Sequence, residues 1–196
     1  MTLKPRIILA SASPRRVELL NQIGIEPRQQ PAHIDETPYA NEPPEHYVLR
    51  MAREKAAAIT CTLAVDSPAW VIGADTAVVV DDEILGKPAD QQDAARMLGL
   101  LSGRTHCVLS AVAVSGAGEV NACCVETQVR FRVLTAQEID AYWRSGEPVD
   151  KAGGYGIQGL GAVFIEWIQG SYTAVMGLPL FETASLLAQQ NIHVIS

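Results

Sequence analysis

Apolar positions recur along this chain with two different spacings, and the switch between them marks its elements. Ile7, Ile8, Leu9 and Ala10 form an apolar run that predicts a short strand over Arg6–Ala10. Val17, Leu20 and Ile23 then recur three apart, between Pro14 and a stop at Gly24. That spacing predicts a helix with Ser13 at its N-cap and proline in its first turn. Residues 27–44 are polar and hold five prolines, which predicts a strand followed by a loop. Val48, Leu49, Ala52, Ala56 and Ile59 share one face of a helix expected over residues 44–63. Residues 70–80 are apolar apart from Asp75 and Thr76, the pattern of a buried strand. Asp81, Asp82 and Glu83 turn it, and Ile84 and Leu85 return.

Asp90 is placed to cap a helix that runs to Leu101 and ends before Gly103. Residues 107–114 and 120–133 predict a long hairpin around Ser115–Gly118. Thr135 and Glu138 have capping-box spacing and open a short helix that stops at Gly146. A glycine-rich loop over 151–161, a strand over 163–168, a helix over 178–190 and a tail over 192–195 complete the chain. Strands alternate with helices, but the central hairpin must be antiparallel. The expected fold is α/β, a mixed β-sheet flanked by helices, as one domain over residues 1–196.

Composition narrows the partners. The 196 residues are 48% hydrophobic and 19% charged, a globular balance. The formal charge of −7 argues against generic binding to nucleic acid or an anionic membrane, both of which need a basic surface. It leaves room for a small polyanion held by a local basic cluster. The apolar core at Ile7–Ala10 is too short for a signal peptide, and no stretch approaches the length of a membrane span, so a cytoplasmic protein is expected. Cys61, Cys107, Cys123 and Cys124 form no C-x-x-C and are expected to be reduced core thiols. The four histidines lack ligand spacing, so no zinc site is expected.

Four segments carry polar residues that packing alone does not require. Ser11-Ala12-Ser13-Pro14-Arg15-Arg16 lies between a strand and a helix N-terminus, where free N–H groups and two guanidinium groups suit phosphate. It is equally the sequence of an ordinary capped helix with solvated arginines. Gly73-Ala74-Asp75-Thr76 puts a carboxylate inside an apolar strand, which calls for a cation partner, a backbone partner or a catalytic role. Lys55 and Lys87 are isolated lysines, and lysines of that kind are ordinarily solvated. Asp150–Gly159 combines dense glycine with Gln158, whose amide can read a base edge, or else it is a flexible surface loop.

Taken together and in order, these motifs resemble the Maf family of nucleoside triphosphate pyrophosphatases. The resemblance is carried by Leu9-Ala10-Ser11-x-Ser13-Pro14-Arg15-Arg16, Asp35-Glu36, and Tyr47-Val48-x-Arg50-x-Ala52-Arg53-Glu54-Lys55-Ala56. It continues through Gly73-Ala74-Asp75-Thr76, Lys87-Pro88, Leu101-Ser102-Gly103-x-Thr105-His106 and Asp150-Lys151-Ala152-Gly153-x-Tyr155-Gly156-Ile157-Gln158-Gly159-Leu160-Gly161. Gly170-Ser171-Tyr172 and Gly177-Leu178-Pro179-Leu180 close the set. Arg15 after Ser-Pro, Thr76 after the strand aspartate and the Tyr-Gly-Ile-Gln-Gly loop resemble the dTTP/UTP branch rather than the 7-methyl-GTP branch. Gly86 before Lys87 departs from the charged residue expected in that branch.

The resemblance implies two lobes around a nucleotide-binding cleft, similar to the inosine triphosphatase architecture. It implies a nucleoside triphosphate substrate cleaved at the α-phosphate, a homodimer, and a divalent cation, Mg²⁺ or Mn²⁺. Arg16, Lys55 and Lys87, with Ser11 and Ser13, would hold the triphosphate. Glu36 and Asp75 would supply metal ligands. Asp75 would act as general base on the attacking water, or as a ligand that holds a hydroxide. Arg15, Thr76 and Gln158 would select the base. Rival readings are a nucleotide-binding regulator of cell division without turnover, a 7-methyl-GTP pyrophosphatase, and a thiol enzyme using Cys123 or Cys124.

Overall fold

The computed structural model describes residues 6–64 and 67–194. Its elements follow the predicted order. Strand β1 (Arg6–Leu9) leads into helix α1 (Pro14–Gln22), and a two-residue strand β2 (Arg28–Gln29) precedes helix α2 (Pro44–Thr60). Strands β3 (Ala69–Val80) and β4 (Glu83–Leu85) are followed by helix α3 (Gln91–Leu101). The long strands β5 (Thr105–Gly116) and β6 (Glu119–Phe131) follow, then helix α4 (Ala136–Arg144). Three short 3₁₀ turns, Glu147–Asp150, Ala152–Gly154 and Leu160–Phe164, lead to strand β7 (Ile165–Gln169). Helices α5 (Tyr172–Met176) and α6 (Leu180–Ala188) end the fold. No helix among the described residues is long and apolar enough to cross a membrane.

The strands pair in the order β2-β1-β3-β5-β6-β7, with β4 on β3. β1 runs parallel to β2 and β3, whereas the β3–β4 and β6–β7 pairs are antiparallel, so the sheet is mixed as expected. By packing, the chain divides into two compact units. The first holds Met1–Asp75, Ser110–Val125 and Gly177–Ser196, and the second holds Thr76–Leu109 and Glu126–Met176. Within the first, α2 buries Val48, Met51, Ala52, Lys55, Ala56 and Ile59, a stripe at helical spacing with a lysine in it. Within the second, Met97, Leu98 and Leu101 of α3 pack with Val78, Leu85, Val108, Val129, Phe131 and Phe164.

Local chemistry accounts for several boundaries. The Asp90 side chain caps α3 by accepting from the Asp93 N–H at 2.9 Å. Thr135 and Glu138 form the reciprocal capping box of α4. Asp81 and Asp82 both adopt positive φ in the two-residue β3–β4 turn, where asparagine and glycine are the commoner choices.

Several expectations need correction. Ser13 occupies the N-cap of α1 but caps nothing with its side chain; its own N–H donates to Ser11 Oγ at 3.2 Å. The strand expected in 27–44 is only two residues long. α2 ends at Thr60 and β7 begins at Ile165, because the backbone over 160–164 coils into a 3₁₀ turn. α5 is an unforeseen element of five residues, too short for a periodic signal. No cysteine is buried: Cys61 is exposed and the other three are half-buried. The end of the expected tail, residue 195, lies outside the described residues.

β3 comes close to the backbone of α2 at Gly73. A Cβ there would overlap the Ala52 carbonyl oxygen and stand 2.7 Å from the Ala56 nitrogen, both backbone atoms of α2. Gly73→Ala is expected to destabilise the protein by about 3 kcal/mol or more, the upper end of overpacking penalties. Urea unfolding measures it, and an unchanged midpoint would refute the contact.

Candidate active site

The approach at Gly73 places the site. Strand residues two apart share a face, so Asp75 faces α2 as Gly73 does. Lys55 lies on the same helical stripe as Ala52, beside Ala56, and so reaches Asp75. Its Nζ donates to Asp75 Oδ1 at 2.7 Å and stands 3.0 Å from Glu36 Oε1. Lys55 and Asp75 are each 7% exposed, so Lys55 is not the solvated lysine that isolated lysines usually are. Glu36 is open to solvent, with its side chain 54% exposed. Burial pushes the Asp75 carboxyl above its ordinary value, and the charges of Lys55 and Arg16 only partly offset it.

Arginine and serine from the β1–α1 turn complete the cluster. Arg16 Nη1 donates to Ser11 Oγ at 3.0 Å, and its Nε donates to the Gly177 carbonyl at 2.8 Å. Gln29 Nε2 donates to the Ser11 carbonyl at 3.0 Å, which ties this turn to β2. Burial lowers the Arg16 pKa against the pull of Asp75, so the two side chains share one local field. Arg15 and Ser13 are half-buried on the same turn.

The segment carrying Glu36 is organised by two residues of α2. Tyr47 Oη donates to the Glu36 carbonyl at 3.0 Å. Arg50 grips Glu42 with Nε and Nη2 at 2.7 and 2.6 Å, and its guanidinium lies 3.8 Å above the Tyr39 ring. It also donates to the Thr37 carbonyl at 3.2 Å. Asp35 accepts from the Thr37 N–H and hydroxyl at 2.9 and 2.6 Å, closing a tight turn next to Glu36. Tyr47, Arg50 and Glu42 hold the segment that bears Glu36, and sequence reasoning assigned them no role; the i, i+3 spacing of Tyr47 and Arg50 was the available signal.

The second unit carries Thr76, Lys87 and Gln158. Thr76 follows Asp75 on β3 and therefore faces the other side of the strand. Lys87 and Gln158 are both exposed. The glycine-rich loop bearing Gln158 is not flexible packing-free chain: Gly153, Gly154, Tyr155, Gly156 and Ile157 are all buried. The Gly153 N–H donates to the Gly86 carbonyl at 2.9 Å, so the loop is pinned to the turn that bears Lys87. Gly153 has φ +67°, and a Cβ there would stand 2.9 Å from the Val78 methyls. Tyr155 stacks edge-on against Phe131 at 4.8 Å and shares a 2.8 Å hydrogen bond with His106 Nε2. Burial lowers the His106 pKa to about 4, so that ring is neutral at physiological pH.

Residues 6–190 match the family described as Maf-like protein. The chain belongs to the Maf family. It is 53% identical over 181 residues to the dTTP/UTP pyrophosphatase of Pseudoalteromonas translucida (strain TAC 125), covering 92% of this chain and 95% of the relative. It is 52% identical over 192 residues to the protein of that name from Shewanella sp. (strain MR-7), covering 95% and 99%. The Salmonella typhimurium protein of the same name is 51% identical over 185 residues, covering 94% and 93%.

In this Maf chain the first unit brings together Ser11, Arg16, Glu36, Lys55 and Asp75, whereas Thr76, Lys87 and Gln158 belong to the second. Glu36 and Asp75 offer carboxylate oxygens around one ammonium. Among the described residues no group of three or more His, Cys, Asp or Glu is arranged to hold a metal by itself. Two hard oxygen donors fit a cation of the Mg²⁺ or Mn²⁺ kind whose remaining ligands are water and substrate phosphate, which is how Mg²⁺ is commonly held. The Cys123 thiol does not suit a nucleophilic role: burial raises its pKa, the Glu182 charge adds to it, and both disfavour the thiolate.

The raised Asp75 pKa has a consequence for stability. A carboxyl that holds its proton more tightly folded than unfolded contributes stability below its unfolded value, ordinarily 3.8, and loses it as pH rises through the folded value. Asp75→Asn cannot ionise, so its melting temperature should gain on the unaltered protein as pH rises from about 4 to about 8. A difference that stays constant over that range would show that the burial penalty is absent.

Proposed function

We propose that this Maf chain hydrolyses dTTP and UTP at the α-phosphate, releasing the nucleoside monophosphate and pyrophosphate. The observation that carries the reading is the buried Lys55 ammonium held between Asp75 and Glu36, with Arg16 and Ser11 beside it. Full-length relatives at about half identity named dTTP/UTP pyrophosphatase support the substrate class.

In this reading water attacks the α-phosphorus as its bond to the bridging oxygen of the β-phosphate breaks. Phosphoryl transfer needs positioning and positive charge more than covalent chemistry. Arg16, Lys55 and Lys87 supply the charge, with Ser11, Ser13 and the start of α1 adding donors. Asp75 takes the proton of the attacking water: a carboxyl lifted by burial is a stronger base than a solvated one, and the Lys55 hydrogen bond favours its ionised form. Glu36 and Asp75 would hold a divalent cation, which when bound neutralises polyphosphate charge. Arg15, Thr76 and Gln158 select the base. Uracil and thymine share one hydrogen-bonding edge, and a glutamine amide can donate to and accept from it.

Pyrophosphate release from dTTP, UTP, CTP, GTP, ATP and 7-methyl-GTP, with Mg²⁺, Mn²⁺ or EDTA, tests the reading. Turnover of dTTP and UTP that EDTA abolishes is expected. Asp75→Asn should lower kcat by about 10²–10⁴-fold, the usual worth of a general base. Lys55→Met should lower it by about 10²–10³-fold, as removal of a transition-state donor does. Turnover of 7-methyl-GTP alone, or tight nucleotide binding with no turnover, would overturn it.

A further inference from the structure

The glycine-rich loop is built around one carboxylate. Glu147 Oε1 accepts from Tyr142 Oη at 2.6 Å and from the Gly161 N–H at 3.1 Å, and Oε2 accepts from the Leu160 N–H at 2.8 Å. Tyr142 Oη accepts in turn from the Gly156 N–H at 3.0 Å. These bonds grip the backbone on both sides of Ile157-Gln158-Gly159. Lys151 Nζ, donating to the Glu147 carbonyl at 2.6 Å and to Asp150 at 2.8 Å, braces the base of the loop.

The glycines are spaced to admit this carboxylate. A Cβ on Gly159 would overlap the Glu147 carboxylate and lie 2.5 Å from its Cδ. One on Gly161 would lie 2.8 Å from Tyr142 Oη. One on Gly156 would lie 3.1 Å from Glu147 Oε1 and 2.9 Å from Lys151 Cε. Within 156–161 the glycines thus mark where the loop wraps around the Tyr142–Glu147 pair, leaving Gln158 exposed at its crest. Burial would raise the Glu147 pKa, but the hydrogen bonds from Tyr142, Leu160 and Gly161 outweigh it and lower it.

We propose that Glu147, through Tyr142 and the backbone N–H groups of Gly156, Leu160 and Gly161, is the positioning residue that sets Gln158 for reading the pyrimidine base. This rests on the reading of Gln158 as a base-selecting residue. Glu147 touches neither base nor phosphate in this scheme. Its loss should therefore weaken and blur base recognition without changing the phosphate chemistry.

Steady-state kinetics with dTTP, UTP and CTP test it on Glu147→Gln. A carboxamide loses one of the two acceptor oxygens and presents an N–H₂ group where an acceptor is needed. The expected result is a KM for dTTP and UTP raised about tenfold, with kcat within about twofold and a preference over CTP reduced about tenfold, as misplacement of a positioning group implies. Inhibition by inorganic tripolyphosphate, which has no base, should be unchanged. Gly159→Ala reaches the same carboxylate from the other side, at a backbone conformation that needs no glycine, and should reproduce the pattern even if Glu147→Gln does not fold. Glu147→Asp should recover part of the preference. Equal loss of tripolyphosphate inhibition, a fall in kcat alone, or unchanged kinetics in both variants would overturn the proposal. Gln158→Ala separates the two readings. If it leaves base preference intact, the base-selecting role fails; if it removes preference while Glu147→Gln and Gly159→Ala do not, only the positioning role fails.

Discussion

A lysine ammonium nearly out of water sets the terms for the first unit. An unpaired charge of that kind costs several kcal/mol. Lys55 stays because Asp75 lies 2.7 Å from it and Glu36 3.0 Å. Holding that pair requires α2 and β3 to pack backbone to backbone, and only glycine at position 73 permits it. The small side chains of Ala52 and Ala56 follow from the same demand. Removing one partner of such a pair strands the other, a loss of about 3–5 kcal/mol in buried pairs generally. The polar cluster is thus bound to the packing of the helix that carries it.

The two units each contain a carboxylate that organises its surroundings, and the two behave oppositely. Asp75 is held above its ordinary pKa because burial outweighs its cationic neighbours. Glu147 is held below its own because a phenol and two backbone N–H groups outweigh burial. The first is a desolvated group, the condition under which a carboxyl holds its proton more tightly. The second accepts three hydrogen bonds, which suits a fixed part of the frame. Perturbed pKa values mark function only when their direction and cause are read together.

Much of this was legible in the sequence. The caps of α3 and α4 come from three-residue side-chain patterns and appear where Asp90, Thr135 and Glu138 put them. The acid inside a buried strand called for a cation partner, a backbone partner or a catalytic role, and Lys55 is its cation partner. What stayed hidden depended on tertiary contact. A lysine on an amphipathic helix looks solvated until the stripe of Val48, Met51, Ala52, Ala56 and Ile59 is seen to run through it. The glycine-rich loop looks mobile because glycine density carries no sign of which atom it is meant to approach. Glu147 lies outside the dense glycine run, and nothing in its neighbours in sequence foretells three hydrogen bonds to residues elsewhere in the chain.

The division of roles along the chain follows from what each element can hold still. In the proposed reaction, Asp75 and Lys55 sit on a central strand and a long helix, and a proton transfer tolerates little misplacement. Gln158 sits on a loop, where backbone changes are tolerated better than on packed elements. A loop is precise only if something fixes it, and here hydrogen bonds to a single carboxylate act beside the packing of Tyr155 in the core of its unit. If Gln158 reads the base as proposed, such an arrangement lets base preference change through a few loop residues while Asp75, Lys55 and the Gly73 contact remain untouched. It also makes the glycines of the loop and the carboxylate they approach one unit, so that neither can be altered without the other registering it.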